Sequence, residues 1–176
     1  MTEIVNVLEK KKRLMSSILV EGPDCSGKTT LVERLKNTLR WDSLCLHHRD
    51  GDQFLRYLHA YSSQDHVVFN RGHVSEAVYG RVWRGGNPFT KEEWNVLNEV
   101  CDLRILIIVA FPSIETMRSR YQERKYSQQL SFDELNTSKN LFDHYLDRMS
   151  FVPLWYRSES FDELDSLVEK VKELVI

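Results

Sequence analysis

The chain has 176 residues, 41% hydrophobic and 28% charged, which suits one domain over residues 1–176 with a substantial core. A formal charge of −2 gives no global attraction to nucleic acid, and no apolar run approaches membrane-spanning length. Cys25, Cys45 and Cys101 are odd in number and widely spaced, which points to neither a disulfide framework nor a zinc cluster. That usage suits a reducing cytoplasm, the host's if the protein is viral.

Residues 1–13 place Ile4, Val5, Val7 and Leu8 ahead of Lys10-Lys11-Lys12-Arg13 and read as a short leading helix with a solvated basic end. Ile18-Leu19-Val20 is an apolar run of strand type, and Leu31, Val32, Leu35 and Leu39 recur at helical spacing. Between them Gly22-Pro23-Asp24-Cys25-Ser26-Gly27-Lys28-Thr29-Thr30 satisfies G-x-x-x-x-G-K-[ST], a phosphate-binding loop in the strand–turn–helix context it requires. Glycines let successive N–H groups curl toward one point, and the helix N-terminus adds partial positive charge. The loop is expected to hold ATP, with Lys28 neutralising the outer phosphates and the Thr29 hydroxyl ligating Mg²⁺.

Leu44 to His48 reads as a second strand running into Arg49-Asp50-Gly51-Asp52, either a substrate-facing loop or ordinary turn chemistry. A helix over Phe54 to Tyr61 and a third strand at Val67-Val68-Phe69 follow, the latter ending at Asn70-Arg71-Gly72. From Ser75, the residues Ala77, Val78, Val82 and Trp83 predict a helix broken at Gly85-Gly86-Asn87-Pro88, and Thr90 to Glu93 is a capping box opening the next. Ile105 to Ala110, the most apolar run, predicts a strand covered on both faces. Pro112-Ser113 opens a helix bearing Arg118, Arg120, Arg124 and Lys125, which either border a lid over about 118–131 or line a solvated helix face. Two more capping boxes stand at Ser131 and Ser160. Between them Val152 to Tyr156 supplies a fifth strand, and Leu164, Leu167, Val168, Val171 and Leu174 give a closing amphipathic helix. The alternation predicts an α/β protein of P-loop kinase type: five parallel strands, helices on both faces and an Arg-bearing lid.

The loop alone leaves the reaction open, because kinases, motors, switches and ATPases share it. Motors and large ATPases usually need more chain, and the guanine-reading Asn-Lys-x-Asp of GTPases is absent, which favours a small phosphoryl-transfer kinase. Glu21 to Thr30 resembles the phosphate loop of thymidylate kinases, with a Glu ahead of the loop and an Asp within it. Asn70 to Gly80 resembles that family's Asp-Arg segment, with Ser75 and Tyr79 at matching distances. The wording is also similar to viral (phage) deoxynucleotide kinases, including proposed kinases for modified pyrimidines.

The resemblance implies roles. Lys28 and the loop amides would hold the donor, Asp24 would approach the acceptor sugar hydroxyl, and Arg71 would grip the acceptor phosphate. Arg118 and Arg124 would close over the donor. Arg49, Asp50, Ser75 and Tyr79 complete the expected acceptor side, with Arg71 as a surface ion-pair partner and Tyr79 as core filling the plain alternatives. The sequence departs from the family twice. Asn70 stands where the family has an acidic residue, leaving Glu21, Asp24 and Asp50 as candidates to support Mg²⁺. Gly80 stands where it has a Gln, leaving room for a different or enlarged base.

The expected reaction is transfer to a small-molecule nucleotide acceptor, a deoxynucleoside monophosphate. Two readings stay open beside it: a kinase for a hydroxyl of a deoxynucleoside or of 5-hydroxymethyluracil in DNA, and a non-catalytic nucleotide-binding regulatory module. A homodimer is likewise open.

Overall fold

A computed structural model describes residues 15–123, 131–149 and 152–175; the expected leading helix over residues 1–13 lies outside the described residues. Strand β1 is Ser17–Glu21, β2 Asp42–Cys45, β3 Val67–Asn70, β4 Ile105–Ala110 and β5 Leu154–Tyr156. All pairings are parallel and the order is β2-β3-β1-β4-β5, so β1 is central and every strand ends at the same edge. In such sheets the crevice beyond the strand C-termini is where ligands bind.

The helices are α1 (Lys28–Leu39), α2 (Gln53–Ser63), α3 (His73–Trp83), α4 (Lys91–Arg104), α5 (Ile114–Glu123), α6 (Phe132–Leu146) and α7 (Phe161–Leu174). Alternate residues of the inner strands supply two cores. Leu19, Phe69, Ile107 and Val109 pack under α2, α3, α4 and α6. Ile18, Val20, Val68, Leu106 and Ile108 pack under α1 and α7. The expectation for residues 105–110 is met: all six are buried. Among the described residues no helix is long and apolar enough to cross a membrane.

Three details differ from the sequence reading. β2 starts at Asp42 and ends at Cys45, earlier than Leu44–His48, because it is an edge strand paired only to β3, and β3 ends at Asn70 opposite Cys45. The Ser131 capping box is complete, but at Ser160 only half forms. There Glu163 accepts from the backbone N–H groups of Arg157 and Glu159, fixing the loop after β5 instead of its own cap. The third concerns Gly80. A Cβ at this position would collide with the Gly86 carbonyl oxygen and stand 3.2 Å from Pro88 Cδ. The glycine lets the 85–88 turn pack on α3, so the expected room for an enlarged base is already filled by backbone.

Candidate active site

The phosphate loop leaves β1 at the sheet's centre and enters α1. Gly22 has φ 139° and Gly27 has φ 88°, left-handed values that a side chain would strain, and a Cβ at Gly22 would collide with the Ala110 carbonyl oxygen. Lys28 is buried and donates to the Pro23 carbonyl at 2.6 Å and the Ser26 hydroxyl at 3.5 Å, so its ammonium lies over the loop. Thr29 and Thr30 are exposed at the start of α1.

Behind the loop sits Glu21, 0% exposed. Its Oε1 accepts from the backbone N–H groups of Val74 (3.1 Å) and Ser75 (3.3 Å), and its Oε2 from the Ser75 hydroxyl. It caps α3, whose N-cap position is Gly72 and offers no side chain. Burial raises the Glu21 carboxyl to about 7, against the lowering pull of the Ser75 bonds and of Lys28. Among the three candidates for Mg²⁺ support, Glu21 is therefore occupied as a helix cap and Asp50 is exposed in the loop after β2.

Asp24 is placed differently. Its N–H donates to the Tyr79 hydroxyl at 2.9 Å, and its Oδ1 accepts from Arg71 at 2.5 Å. Arg71 leaves β3 with φ 72°, an uncommon conformation for a side-chain-bearing residue, and its guanidinium lies 5.0 Å from the Tyr79 ring centroid.

Three cavities run along this edge of the sheet. A cavity of about 420 Å³ includes Cys25, Gly27, Arg120, Tyr156, Ser158 and Phe161 in its wall. A second, about 220 Å³, is lined by the loop from Asp24 to Thr30 together with Cys45, His47, Asn70 and Arg71. A third, about 290 Å³, is lined by Asp24, Arg71, Ser75, Tyr79, Trp83 and Arg84, with Leu46, His47, His48 and Glu76. Cys25, Gly27 and Thr30 are common to the first and second, and Asp24, His47 and Arg71 to the second and third. The loop is thus a bridge, and Asp24 with Arg71 forms the junction on its far side.

The arginines of α5 separate. Arg120 donates to the Cys25 carbonyl at 3.3 Å, to the Ser158 hydroxyl at 2.9 Å and to the Ser158 carbonyl, tying the loop to the segment after β5. Arg118 is exposed, its guanidinium 4.3 Å from the Phe132 ring centroid. Arg124 and Lys125 lie outside the described residues, as does half of the expected lid, residues 124–130. Arg49 lines a separate hollow with Leu44, Arg56 and Gln64, so the structure does not bring it to the cavity that holds Arg71, Ser75 and Tyr79. Pro23 is buried within the loop.

The sequence places Arg120 only with the lid or helix-face arginines, not at the Cys25 carbonyl, and points to no role for Glu76, His48 or Arg84. Glu76 is 4% exposed and binds His48 at 3.0 Å and Arg84. A charged residue on the buried face of a helix is the signal that could have found it. Cys45 is held above its ordinary thiol range by burial, against Arg71 and Lys28, so it is a weak nucleophile.

Asn70 Oδ1 is buried without a hydrogen-bond partner among the described residues and belongs to the cavity wall that includes Thr29 and Asp24. This oxygen set fits Mg²⁺, which prefers a few protein oxygens beside phosphates and water. No group of three or more His, Cys, Asp or Glu among the described residues could hold a metal.

No family model matches the chain. It is 21% identical over 128 residues, 69% of this chain and 78% of the relative, to the SPbeta prophage-derived uncharacterized protein YorR of Bacillus subtilis (strain 168). The crystal structure of YorR in complex with phosphorylated GDP matches with a TM-score of 0.78 at 15% identity, covering 89% of this chain and 96% of that one. Deoxyadenosine kinase from M. mycoides with bound dCTP matches with a TM-score of 0.62 at 16% identity, covering 89% and 98%. Shikimate kinase from Acinetobacter baumannii in complex with shikimate matches with a TM-score of 0.57 at 16% identity, covering 91% and 92%. The five parallel strands, the helices on both faces and the phosphate loop after β1 are those of the P-loop kinase fold.

Proposed function

We propose that this chain transfers the γ-phosphoryl group of ATP, with Mg²⁺, to the phosphate of a deoxynucleoside monophosphate, thymidylate or a modified pyrimidine nucleotide. The observation that carries the reading is the place of Arg71, a cation shared by the loop cavity and the 290 Å³ cavity beyond it. An attacking phosphate is already charged, and the barrier it meets is repulsion from the donor, which a fixed guanidinium between the two relieves. That YorR was solved with phosphorylated GDP and that a deoxyadenosine kinase shares the fold support a nucleotide at each end.

In this reading the donor base lies in the 420 Å³ cavity, where the Phe161 ring is 79% exposed and offers a stacking face. The triphosphate follows the loop amides, and Lys28 exchanges the Pro23 carbonyl for a phosphate oxygen. Arg120 holds the loop's shape through the Cys25 carbonyl. Mg²⁺ would be held by Thr29, Asp24 and the side-chain amide oxygen of Asn70 and would neutralise charge on the donor phosphates. Arg118 and Arg124 would act from the lid. Alignment and charge neutralisation supply the catalysis, as phosphoryl transfer requires.

A second reading is transfer to a hydroxyl of a deoxynucleoside or of a modified base in DNA. It draws on Asp24, a carboxylate in the walls of both cavities that could serve as base. Labelled ATP offered with monophosphates, nucleosides and DNA oligomers separates the readings. The proposal expects labelled nucleoside diphosphate and a weak response to salt. Label on a nucleoside, or on DNA with activity falling steeply in salt, supports the second reading. Tight ATP binding without any transfer supports a regulatory module.

A further inference from the structure

A hollow of about 200 Å³ lies between the end of the edge strand β2 and α2, apart from the phosphate loop. Its walls include Arg49 and Arg56 with Leu44, Leu46, His59 and Ala60. Arg56, His59 and Ala60 stand at helical spacing, so one stripe of α2 turns toward β2. Two guanidiniums share this space, and no carboxylate among the described residues lines it. Like charges gathered by a fold repel unless an anion faces them. The nearby Asp52 is used otherwise: its side chain caps α2 by accepting the Leu55 N–H at 3.0 Å.

The two arginines are braced through one buried side chain, that of Gln53. Its Nε2 donates to the Arg49 carbonyl and to the Gly51 carbonyl at 3.1 Å, while its Oε1 accepts from Arg56 Nη2 at 2.7 Å. The Arg56 guanidinium also lies 4.7 Å from the Tyr57 ring centroid. Its Nε is buried with no hydrogen-bond partner among the described residues. A buried donor in that state is costly unless an acceptor from outside the chain reaches it.

Two guanidiniums fix the kind of anion. One fork satisfies a carboxylate, whereas a phosphate dianion has oxygen edges for two forks and the charge to balance both. Pockets for whole drug-sized ligands start at roughly 300 Å³, so this smaller hollow suits a single group and not an entire nucleotide.

We infer that the hollow between β2 and α2 is a second phosphate site, in which Arg49 and Arg56 hold a phosphate dianion, free or esterified. It stands behind the acceptor cavity, with Leu46 in the walls of both. It does not depend on which acceptor the protein uses.

The test is a magnetic-resonance titration of the whole protein with orthophosphate, read at backbone amides and arginine Nε–H groups so that each site reports separately. Signals of Leu46, Ala60 and the Arg56 Nε–H should move together to saturation, on a curve distinct from that of Gly27 and Lys28 in the loop. Arg49 is exposed, and Arg49→Met should weaken the first curve at least about 10-fold, the scale of one lost charged hydrogen bond. The loop's curve should hold in that variant, and the hollow's curve should hold in Arg71→Ala. Glycerol phosphate, titrated in parallel, separates the sources: binding as tight as orthophosphate's assigns esterified groups, and much weaker binding assigns the free ion. Hollow signals that stay still while the loop's move overturn the inference. So does an Arg56 response that vanishes in Arg71→Ala and survives in Arg49→Met, or acetate binding as tightly as phosphate. No readout involves transfer, so a protein without kinase activity still decides the matter.

Discussion

Arg71 donates to Asp24 Oδ1 at 2.5 Å while lying 5.0 Å from the ring centroid of Tyr79, whose hydroxyl accepts the Asp24 N–H at 2.9 Å. One residue of the phosphate loop is thus held from two sides, by the end of β3 and by α3. The loop and the acceptor cavity are joined through this pair. A change at Arg71 should register in acceptor use before donor binding.

Arg71→Ala should reduce kcat/KM for the acceptor by about 100-fold, the scale of a lost charge-assisted contact of about 3 kcal/mol. Binding of a non-hydrolysable ATP analogue should change by less than about 3-fold. Steady-state kinetics with calorimetry checks both, and equal weakening of the two substrates would remove Arg71 from the acceptor role.

Lys28→Ala should lower transfer by at least about 100-fold, the usual cost of removing a charge-stabilising donor. The far-ultraviolet circular dichroism should be unchanged, because the Lys28 ammonium donates to the Pro23 carbonyl and the Ser26 hydroxyl of the loop itself. Collapse of the dichroism signal would make the lysine a folding residue first.

Two buried groups give opposite pH dependences. Burial raises Glu21 from 4.5 to about 7, so its contribution to stability is fully present below about 4.5 and is lost as pH rises through 7. Burial lowers His73 from 6.5 to about 4, opposed by the Asn98 bond, so its contribution is present above 6.5 and is lost as pH falls through 4. The opposed slopes partly cancel in the wild type. Glu21→Gln removes the first, and relative to wild type it should gain on the order of 3 kcal/mol between pH 4.5 and 7.5. Urea unfolding across that range reads the gain; a constant difference between the two proteins would show that Glu21 does not titrate there.

Gly80→Ala should destabilise by about 1–3 kcal/mol, the usual cost of forcing a methyl into filled space. The urea midpoint should fall with the slope unchanged. An unchanged midpoint would mean that the Gly86 carbonyl does not abut α3 as described.

The phosphate loop was legible because it is a local backbone device, set by glycines nine residues or fewer from the threonines they serve. The inner strands were legible because burial on both faces leaves continuous apolar runs such as Ile105–Ala110. The edge strand β2 was placed too late, since its exposed residues give no such run and its end is dictated by β3. Glu76 was not legible as a site residue: its partners lie 28 and 8 residues away, and only tertiary packing brings His48 and Arg84 to it. Arg118 and Arg120 read alike in sequence, but two positions along a helix point roughly 200° apart. One therefore covers Phe132 and the other reaches the Cys25 carbonyl.

In the proposed reaction one molecule held along Gly22–Thr30 meets a second beside Arg71. A crystal structure with adenosine and deoxythymidine joined through five phosphates tests it most directly. The adenine should lie by Arg120 and Phe161, the phosphates on the loop, and the thymine in the cavity walled by Arg71 and Trp83. An analogue that leaves the loop empty, or that places both bases outside these cavities, would contradict the account.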